Sequence, residues 1–193
     1  MKTAIPRLTF LRLTILALLC IGVAAMAETE SKSGSAREGK HAFFDTLMET
    51  LPGRWAGRYA DGSFDNPTSE WRPTRVDYYL TAGDTAIVEN YLSRDESSVG
   101  MTTVYHLDNN DIRATHFCGA RNHPRMITRG FDPESRTIAF GFVDVANLKT
   151  PDHYHSREIE LTLVDEDNIR VTFFGLEDGQ SNARVFALSR MEN

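Results

Sequence analysis

The chain has 193 residues, of which 41% are hydrophobic and 25% are charged, and its 27 acidic residues outnumber 21 basic ones. This length suits one domain that can bury a sizeable core. The basic residues are scattered along an acidic chain, so we expect no nucleic acid partner, because an acidic surface repels phosphate backbones.

The N-terminal segment, residues 1–27, predicts a secretory signal peptide. Three basic residues lie near its start, an apolar run extends from Leu13 to Val23, and small residues precede a cleavage point near Ala27. The apolar run is too short to be a membrane span, so we expect none in the mature chain. The segment therefore predicts a secreted or periplasmic protein.

The chain has two cysteines, and only one of them survives this cleavage. Cys20 lies inside the signal segment and raises a lipoprotein alternative, but Leu19 precedes it where a lipobox has a small side chain. Cys118 remains as a single cysteine in an oxidising compartment. Such a residue is either buried and inert or retained for a function.

Residues 28–40 (ETESKSGSAREGK) contain almost no apolar side chains and predict a disordered tether. One domain is expected from 41 to 193. It begins with a short amphipathic helix over His41–Leu51, because apolar residues recur there at helical spacing. Pro52 and Gly53 end this helix.

Beyond Gly53 the apolar residues alternate with polar ones, and clusters of Asp, Asn, Gly and Pro separate the alternating segments. No helical pattern lies between these segments, which excludes a parallel α/β sheet. The pattern predicts an all-β fold: a single antiparallel up-and-down β-barrel of about ten strands with one short N-terminal helix. The predicted strands are Arg54–Ala60, Arg75–Leu80, Ala86–Ser93, Met101–Leu107, Ile112–Cys118, Arg125–Phe131, Thr137–Val143, Glu158–Val164, Arg170–Gly175 and Arg184–Arg190.

The first and last strands carry a known pairing of residues. Gly53-Arg54-Trp55 at the start of the first strand, with Arg190 at the end of the last, resembles the Gly-x-Trp signature of the lipocalins and the wider calycin superfamily. The resemblance implies a structural role for Gly53, Trp55 and Arg190. In those barrels the tryptophan closes the floor, and the basic residue packs over its indole as a cation–π contact.

A second resemblance covers about residues 85–190. The chain is similar there to a family of largely uncharacterised bacterial secreted proteins, which carry Tyr-His-Leu-Asp, Thr-His-Tyr-Cys, Asn-Gln-Pro-Arg-Met and His-Met-His. This sequence departs from those motifs at Phe117, His123 and Tyr154. The resemblance implies a lipocalin-like barrel, but it brings no reaction with it. The matching motifs here are YHLD (105–108), THFC (115–118), NHPRM (122–126) and HYH (153–155).

The stretch THFCGARNHPRM, residues 115–126, gathers two histidines, a cysteine, an asparagine and two arginines. Its first half follows a predicted hairpin. If residues 109–110 form a two-residue loop, Thr103 lies opposite His116. A loop longer by one residue would instead bring His106 onto the face of His116.

In either register His116 and Cys118 share the inward face of their strand. His153 and His155 have the parity of Ile159, if their strand extends far enough back. A His/Cys pair and a His/His pair are therefore expected to face the interior of the barrel.

A barrel that binds a small molecule is the leading interpretation, because ligand sites combine apolar walls with a few fixed polar groups. Arg125 is the predicted anchor for a ligand carboxylate, and the alternative for it is a surface arginine paired with an acid. The set of predicted ligand-binding residues is Tyr105, His116, Cys118, Asn122, Arg125, His153 and His155.

Three alternatives remain open for the polar cluster. His116, Cys118, His153 and His155 offer ligands for a transition metal, zinc or copper, in a metal-dependent enzyme. A Cys–His dyad could act as a nucleophile, although no local signature supports one. The polar groups could also simply satisfy one another as scaffolding. Glu89 is interpreted as the partner of a neighbouring arginine, the alternative being an interior acid with a raised pKa.

Overall fold

The computed structural model describes residues 39–109 and 111–192. The predicted signal peptide and most of the predicted tether, residues 1–38, lie outside this part of the chain. Helix α1 spans residues 39–50, so the last two residues of the predicted tether belong to the helix. Over the described residues, no helix combines the length and the apolar character that crossing a membrane requires.

Ten antiparallel strands follow α1 and close into a barrel. Each strand pairs with the next along the chain, and the first pairs with the last, so the up-and-down topology is confirmed. All ten predicted strands are present, with ends shifted by a few residues. They are β1 (Gly53–Asp61), β2 (Arg72–Thr81), β3 (Ala86–Leu92), β4 (Val99–Asp108), β5 (Asp111–Phe117), β6 (His123–Asp132), β7 (Thr137–Ala146), β8 (His155–Leu163), β9 (Asn168–Glu177) and β10 (Gln180–Arg190).

Alternate side chains of each strand form the core inside the barrel, as the sequence pattern predicts. Ile138 and Phe140 on β7, and Ile159 and Leu161 on β8, are fully buried. Each such side chain stabilises the fold by about 1.5–3 kcal/mol relative to an exposed one. The alternation is therefore the main reason why this sequence forms these strands.

One end of the barrel is closed around Trp55, which is fully buried. Its indole Nε1 donates a hydrogen bond to the Leu51 carbonyl at 2.8 Å. The Arg190 guanidinium lies 4.4 Å from the indole centroid and donates to the Pro52 carbonyl at 3.1 Å. Gly53 has φ of +135°, and a Cβ there would lie 2.9 Å from Arg190 Nη1. The cation–π contact implied by the Gly-x-Trp resemblance is confirmed.

Helix α1 completes the closed end. Phe43, Phe44, Leu47 and Leu51 are buried and belong to the same apolar cluster as the barrel interior. The ring of Phe43 stacks on that of Phe131 from β6, with centroids 4.3 Å apart. The apolar face predicted for this helix therefore covers the barrel.

Candidate functional site

The end of the barrel opposite α1 contains a cavity of about 740 Å³. Its inner part is apolar and is formed by Met101, Phe173 and Phe186, and the centroids of the two phenylalanine rings are 5.7 Å apart. Polar side chains surround this part and extend to the mouth. A cavity of this size with an apolar inner end and a polar rim is typical of a small-molecule site.

His116 on β5 lies at the inner end of this cavity and is almost completely buried. Its Nδ1 hydrogen bonds with Thr103 Oγ1 at 2.9 Å, and Thr103 lies directly opposite on β4. This confirms the register expected from a two-residue loop. Burial and, to a smaller extent, the nearby charge of His123 together lower the pKa of His116 from 6.5 to about 4. His116 is therefore neutral at pH 7.

Beneath His116 lies a fully buried carboxyl group, that of Glu89 on β3. It accepts hydrogen bonds from Tyr78 and Tyr91 at 2.6 and 3.3 Å, and from Tyr105 at 3.0 Å. Burial raises the pKa of Glu89, and the hydroxyl donors oppose that rise. The interpretation of Glu89 as an arginine partner is wrong, because its partners are phenols. Tyr105, a predicted ligand residue, has its hydroxyl in this buried cluster.

Cys118 follows β5 on the face of His116 and lines the cavity. The thiol is partly buried, and its sulfur accepts a hydrogen bond from the Ala120 amide at 3.5 Å. Burial raises the pKa of this thiol. A thiolate nucleophile needs a lowered pKa, so the geometry does not support the Cys–His enzyme alternative.

The predicted inward pair of histidines on β8 is not formed. The register between β8 and β9 shifts between Ser156 and Glu158, and the extra residue reverses the alternation before it. Ser156, rather than His155, therefore shares the inner face with Ile159 and lines the cavity. His155 is buried outside the cavity lining, and its Nδ1 hydrogen bonds with the His153 carbonyl at 3.0 Å.

Ser156 is a cavity residue that the sequence analysis missed. Its Oγ is buried and has no hydrogen-bond partner in the described part of the chain. Tyr154 lies on the same wall, and burial raises the pKa of its phenol. A Cβ at Gly175 would lie 2.5 Å from Tyr154 Cε2, so this glycine makes room for the ring. The Ser156 hydroxyl is therefore enclosed within the wall and has no partner there.

Asn122 and His153 lie beside the cavity, not in its lining. Asn122 is buried, and its Nδ2 donates to the Tyr154 carbonyl at 2.6 Å and contacts His153 Nδ1 at 3.5 Å. Its backbone carbonyl accepts a hydrogen bond from the Cys118 backbone amide at 3.0 Å. These contacts support the scaffolding alternative for Asn122, which holds the β5–β6 connection against β8.

Arg125 lies on the outer surface of β6, with 56% of its side chain exposed. Its Nε and Nη2 donate to the two carboxylate oxygens of Asp144 at 2.6 and 2.7 Å. The expectation that Arg125 anchors a ligand inside the barrel is therefore wrong. The alternating rule explains why, since the adjacent Met126 is fully buried and the two side chains face opposite ways.

Arg184 on β10 is the arginine that lines the cavity mouth. Its Nε donates to Asp61 Oδ1 at 2.8 Å, and nearly half of its side chain is exposed. The sequence carried the signal, because Arg184 has the parity of the buried Phe186 and Leu188 on the same strand.

The predicted metal ligands do not come together. His116 and Cys118 line the cavity, whereas His153 and His155 lie on the far side of the β8 register shift. Within residues 39–109 and 111–192, no three His, Cys, Asp or Glu side chains converge closely enough to hold a metal ion. The geometry therefore gives no support to a zinc or copper site at these four residues.

No protein-family model matches the chain, and no curated protein matches it. Among solved structures, it is similar to a Nostoc punctiforme protein of unknown function from the DUF3598 family, at 10% identity and a TM-score of 0.39. That alignment covers 75% of this chain but only 48% of the Nostoc protein.

Two other structures are similar over most of their own length. A redesigned β-barrel has 11% identity and a TM-score of 0.33, and the alignment covers 76% of this chain and 96% of the design. The structure of EF1p2_mFAP2b bound to DFHBI has 12% identity and a TM-score of 0.34, with coverages of 74% and 95%. The fold assignment rests on the strand pairing described above.

Proposed function

We propose that this protein is a secreted or periplasmic binding protein that holds a small, partly apolar molecule in the cavity at the open end of the barrel. The observation that carries the proposal is the cavity itself. Its volume of about 740 Å³ lies within the 300–1,000 Å³ that is typical of small-molecule sites.

The apolar part of the ligand is expected to pack against Met101, Phe173 and Phe186. These side chains form the inner end of the cavity, and covering them with a ligand removes apolar surface from water. The neutral ring of His116 lies beside them and lines the cavity. This ring supplies a polar contact of the kind that orients a ligand in such sites.

At the mouth, Arg184 takes the role that the sequence analysis gave to Arg125. Its ion pair with Asp61 is half exposed, so solvent screens it and it contributes no more than about 1 kcal/mol. A carboxylate or sulfonate on the ligand can therefore compete with Asp61 for the guanidinium.

The proposed location rests on the signal segment at residues 1–27, which precedes the barrel. The ligand is accordingly expected among small molecules outside the cytoplasm. The acidic balance of the chain remains the reason to expect no nucleic acid partner.

The test uses the mature protein and 1-anilinonaphthalene-8-sulfonate, a probe with apolar rings and one anionic group. Ser156→Phe is expected to fill the cavity and abolish the rise in probe fluorescence, whereas Ser156→Ala keeps it. Arg184→Met is expected to weaken probe binding severalfold, with Arg125→Met, the surface arginine, as the matched control. Equal binding by wild type and a folded Ser156→Phe variant would overturn the proposal. Native mass spectrometry of protein from its own compartment then identifies the co-purified molecule.

A further inference from the structure

Three buried polar residues lie side by side on three neighbouring strands. Glu89 on β3 is directly opposite Thr103 on β4, and Thr103 is directly opposite His116 on β5. All three are almost completely buried. Side chains at directly opposite positions of paired strands are close enough to interact, so they form a line from the core to the cavity.

The inner end of this line is an acceptor surrounded by donors. Three phenol hydroxyls donate to the Glu89 carboxylate. The Thr103 hydroxyl faces the same carboxylate from the directly opposite position of β4, and as a donor it opposes the rise that burial causes in the pKa of Glu89. The Thr103 hydroxyl also lies 2.9 Å from His116 Nδ1. Thr103 thus connects the carboxylate to the imidazole.

A threonine hydroxyl has one proton to donate. When Thr103 donates it to Glu89, only the lone pairs of Oγ1 face His116, so Nδ1 must carry the proton of their shared hydrogen bond. A neutral imidazole has one N–H group, which leaves Nε2 as an acceptor. This partnership between a carboxylate, a hydroxyl and an imidazole fixes the tautomer of His116.

The Nε2 atom is available to a ligand. It makes no hydrogen bond to any residue in the described part of the chain, and its surface is not completely covered by protein atoms. It is therefore accessible from the cavity that His116 lines. The adjacent wall is the ring of Phe173, with its centroid 4.9 Å from that of the imidazole.

We infer that the inner end of the cavity is a hydrogen-bond acceptor site, in which His116 Nε2 selects ligands that carry a neutral O–H or N–H donor on an apolar ring. This inference rests on the proposed function and names the ligand chemistry of the same cavity. A ligand without a donor leaves the acceptor desolvated and unpaired, which lowers its affinity. Phenols and aromatic N–H compounds belong to the selected class.

The first experiment measures the tautomer without any ligand. Two-bond proton–nitrogen NMR spectra of the mature protein show which ring nitrogen of each histidine is protonated, and a His116→Asn variant assigns the His116 signal by its loss. We expect the Nδ1–H tautomer in wild type and in Thr103→Ser, and loss of this fixed tautomer in Thr103→Val. An Nε2–H tautomer in wild type would overturn the inference and leave the proposed function standing.

The second experiment compares 1-naphthol with 1-methoxynaphthalene, which has the same ring but no donor. Calorimetric titration is expected to show that naphthol binds wild type about tenfold more tightly. The ratio should persist in Thr103→Ser and fall towards one in Thr103→Val. Equal affinities in wild type would overturn the inference but not the proposed function. If 1-naphthol, 1-methoxynaphthalene and the anilinonaphthalene probe all fail to bind, and no molecule co-purifies, the proposed function fails and the inference fails with it.

Discussion

The two ends of the barrel follow the same alternation of inward and outward side chains but fill the interior differently. At the closed end the inward positions include Trp55 and Phe140, and α1 adds further apolar rings. At the open end they include Ser156, Gly175 and Cys118. Small residues at inward positions leave the space that large residues fill elsewhere. A cavity therefore arises here from side-chain volume, with no change in strand topology.

Between the two ends lies a polar layer that belongs to neither. Glu89 and its three phenol partners are fully buried, and above them His116 forms the inner end of the cavity. A carboxyl group in an apolar interior is stable only when donors satisfy it. This layer separates the tightly packed core from the open space.

The largest expected effect is at the closed end. Trp55→Ala removes a fully buried indole and leaves a void, so we expect it to lower the free energy of unfolding by about 3–5 kcal/mol. Urea denaturation of the mature protein measures this loss. Trp71→Ala is the matched control, because the Trp71 ring packs against Arg58 and is only partly buried. Equal losses in the two variants would contradict the division of the barrel into a packed end and an open end.

The second effect is a pH dependence that arises from His116. Its pKa is lowered from 6.5 to about 4 in the folded protein, mainly by burial, so between these values the unfolded chain binds the proton more strongly. Stability is therefore lost as the pH falls from 6.5 to about 4, by roughly 3 kcal/mol in total.

The measurement is the free energy of unfolding against pH for wild type and His116→Gln. The variant should lack this loss, and the raised pKa of Glu89, which acts in the opposite direction, is common to both proteins. His106→Gln, on the outer face of β4, is the control and should follow wild type. A difference between wild type and His116→Gln that is independent of pH would contradict the prediction.

The sequence predicts the fold well because its two signals, alternation and turn residues, are local. They identify all ten strands, and of the two loop lengths left open after Asp108, the two-residue loop gives the observed pairing of Thr103 with His116. The site is less predictable. The extra residue in β8 reverses the facing of His155, and the alternation contains no sign of it. Neither does it show that hydroxyls from three strands converge on Glu89.

Arg125 and Arg184 represent a different kind of error. Both positions follow the alternation, which places Arg125 outside beside the buried Met126 and Arg184 inside with Phe186. The chemistry of the THFCGARNHPRM stretch favoured the first arginine over the second. Parity applied to each strand separately identifies Arg184 as the arginine that faces the cavity.

The third prediction compares the two arginines of β10, one at each end of the barrel. Arg190→Met removes the cation–π contact with Trp55 and the hydrogen bond to the Pro52 carbonyl, so we expect a loss of about 1–2 kcal/mol. Arg184→Met breaks a half-exposed pair with Asp61 and should cost less than about 1 kcal/mol. Thermal unfolding of both variants measures the difference. A larger loss of stability in Arg184→Met than in Arg190→Met would contradict this prediction, because it would show that the mouth of the barrel depends on its arginine more than the floor does.

The smallest stability effect is expected at Gly175→Ala, and it sharpens the comparison by separating stability from binding. The new Cβ would lie 2.5 Å from Tyr154 Cε2 and 2.6 Å from Asn182 Oδ1, both on side chains that can move. We therefore expect a loss below about 1 kcal/mol, because the contacts can be relieved at the rim of the cavity. The displaced Tyr154 ring should still weaken binding of the anilinonaphthalene probe. Gly130→Ala is the control, since a Cβ there meets open space and should change neither quantity. Unchanged probe binding in Gly175→Ala would show that Tyr154 does not define the wall of the site.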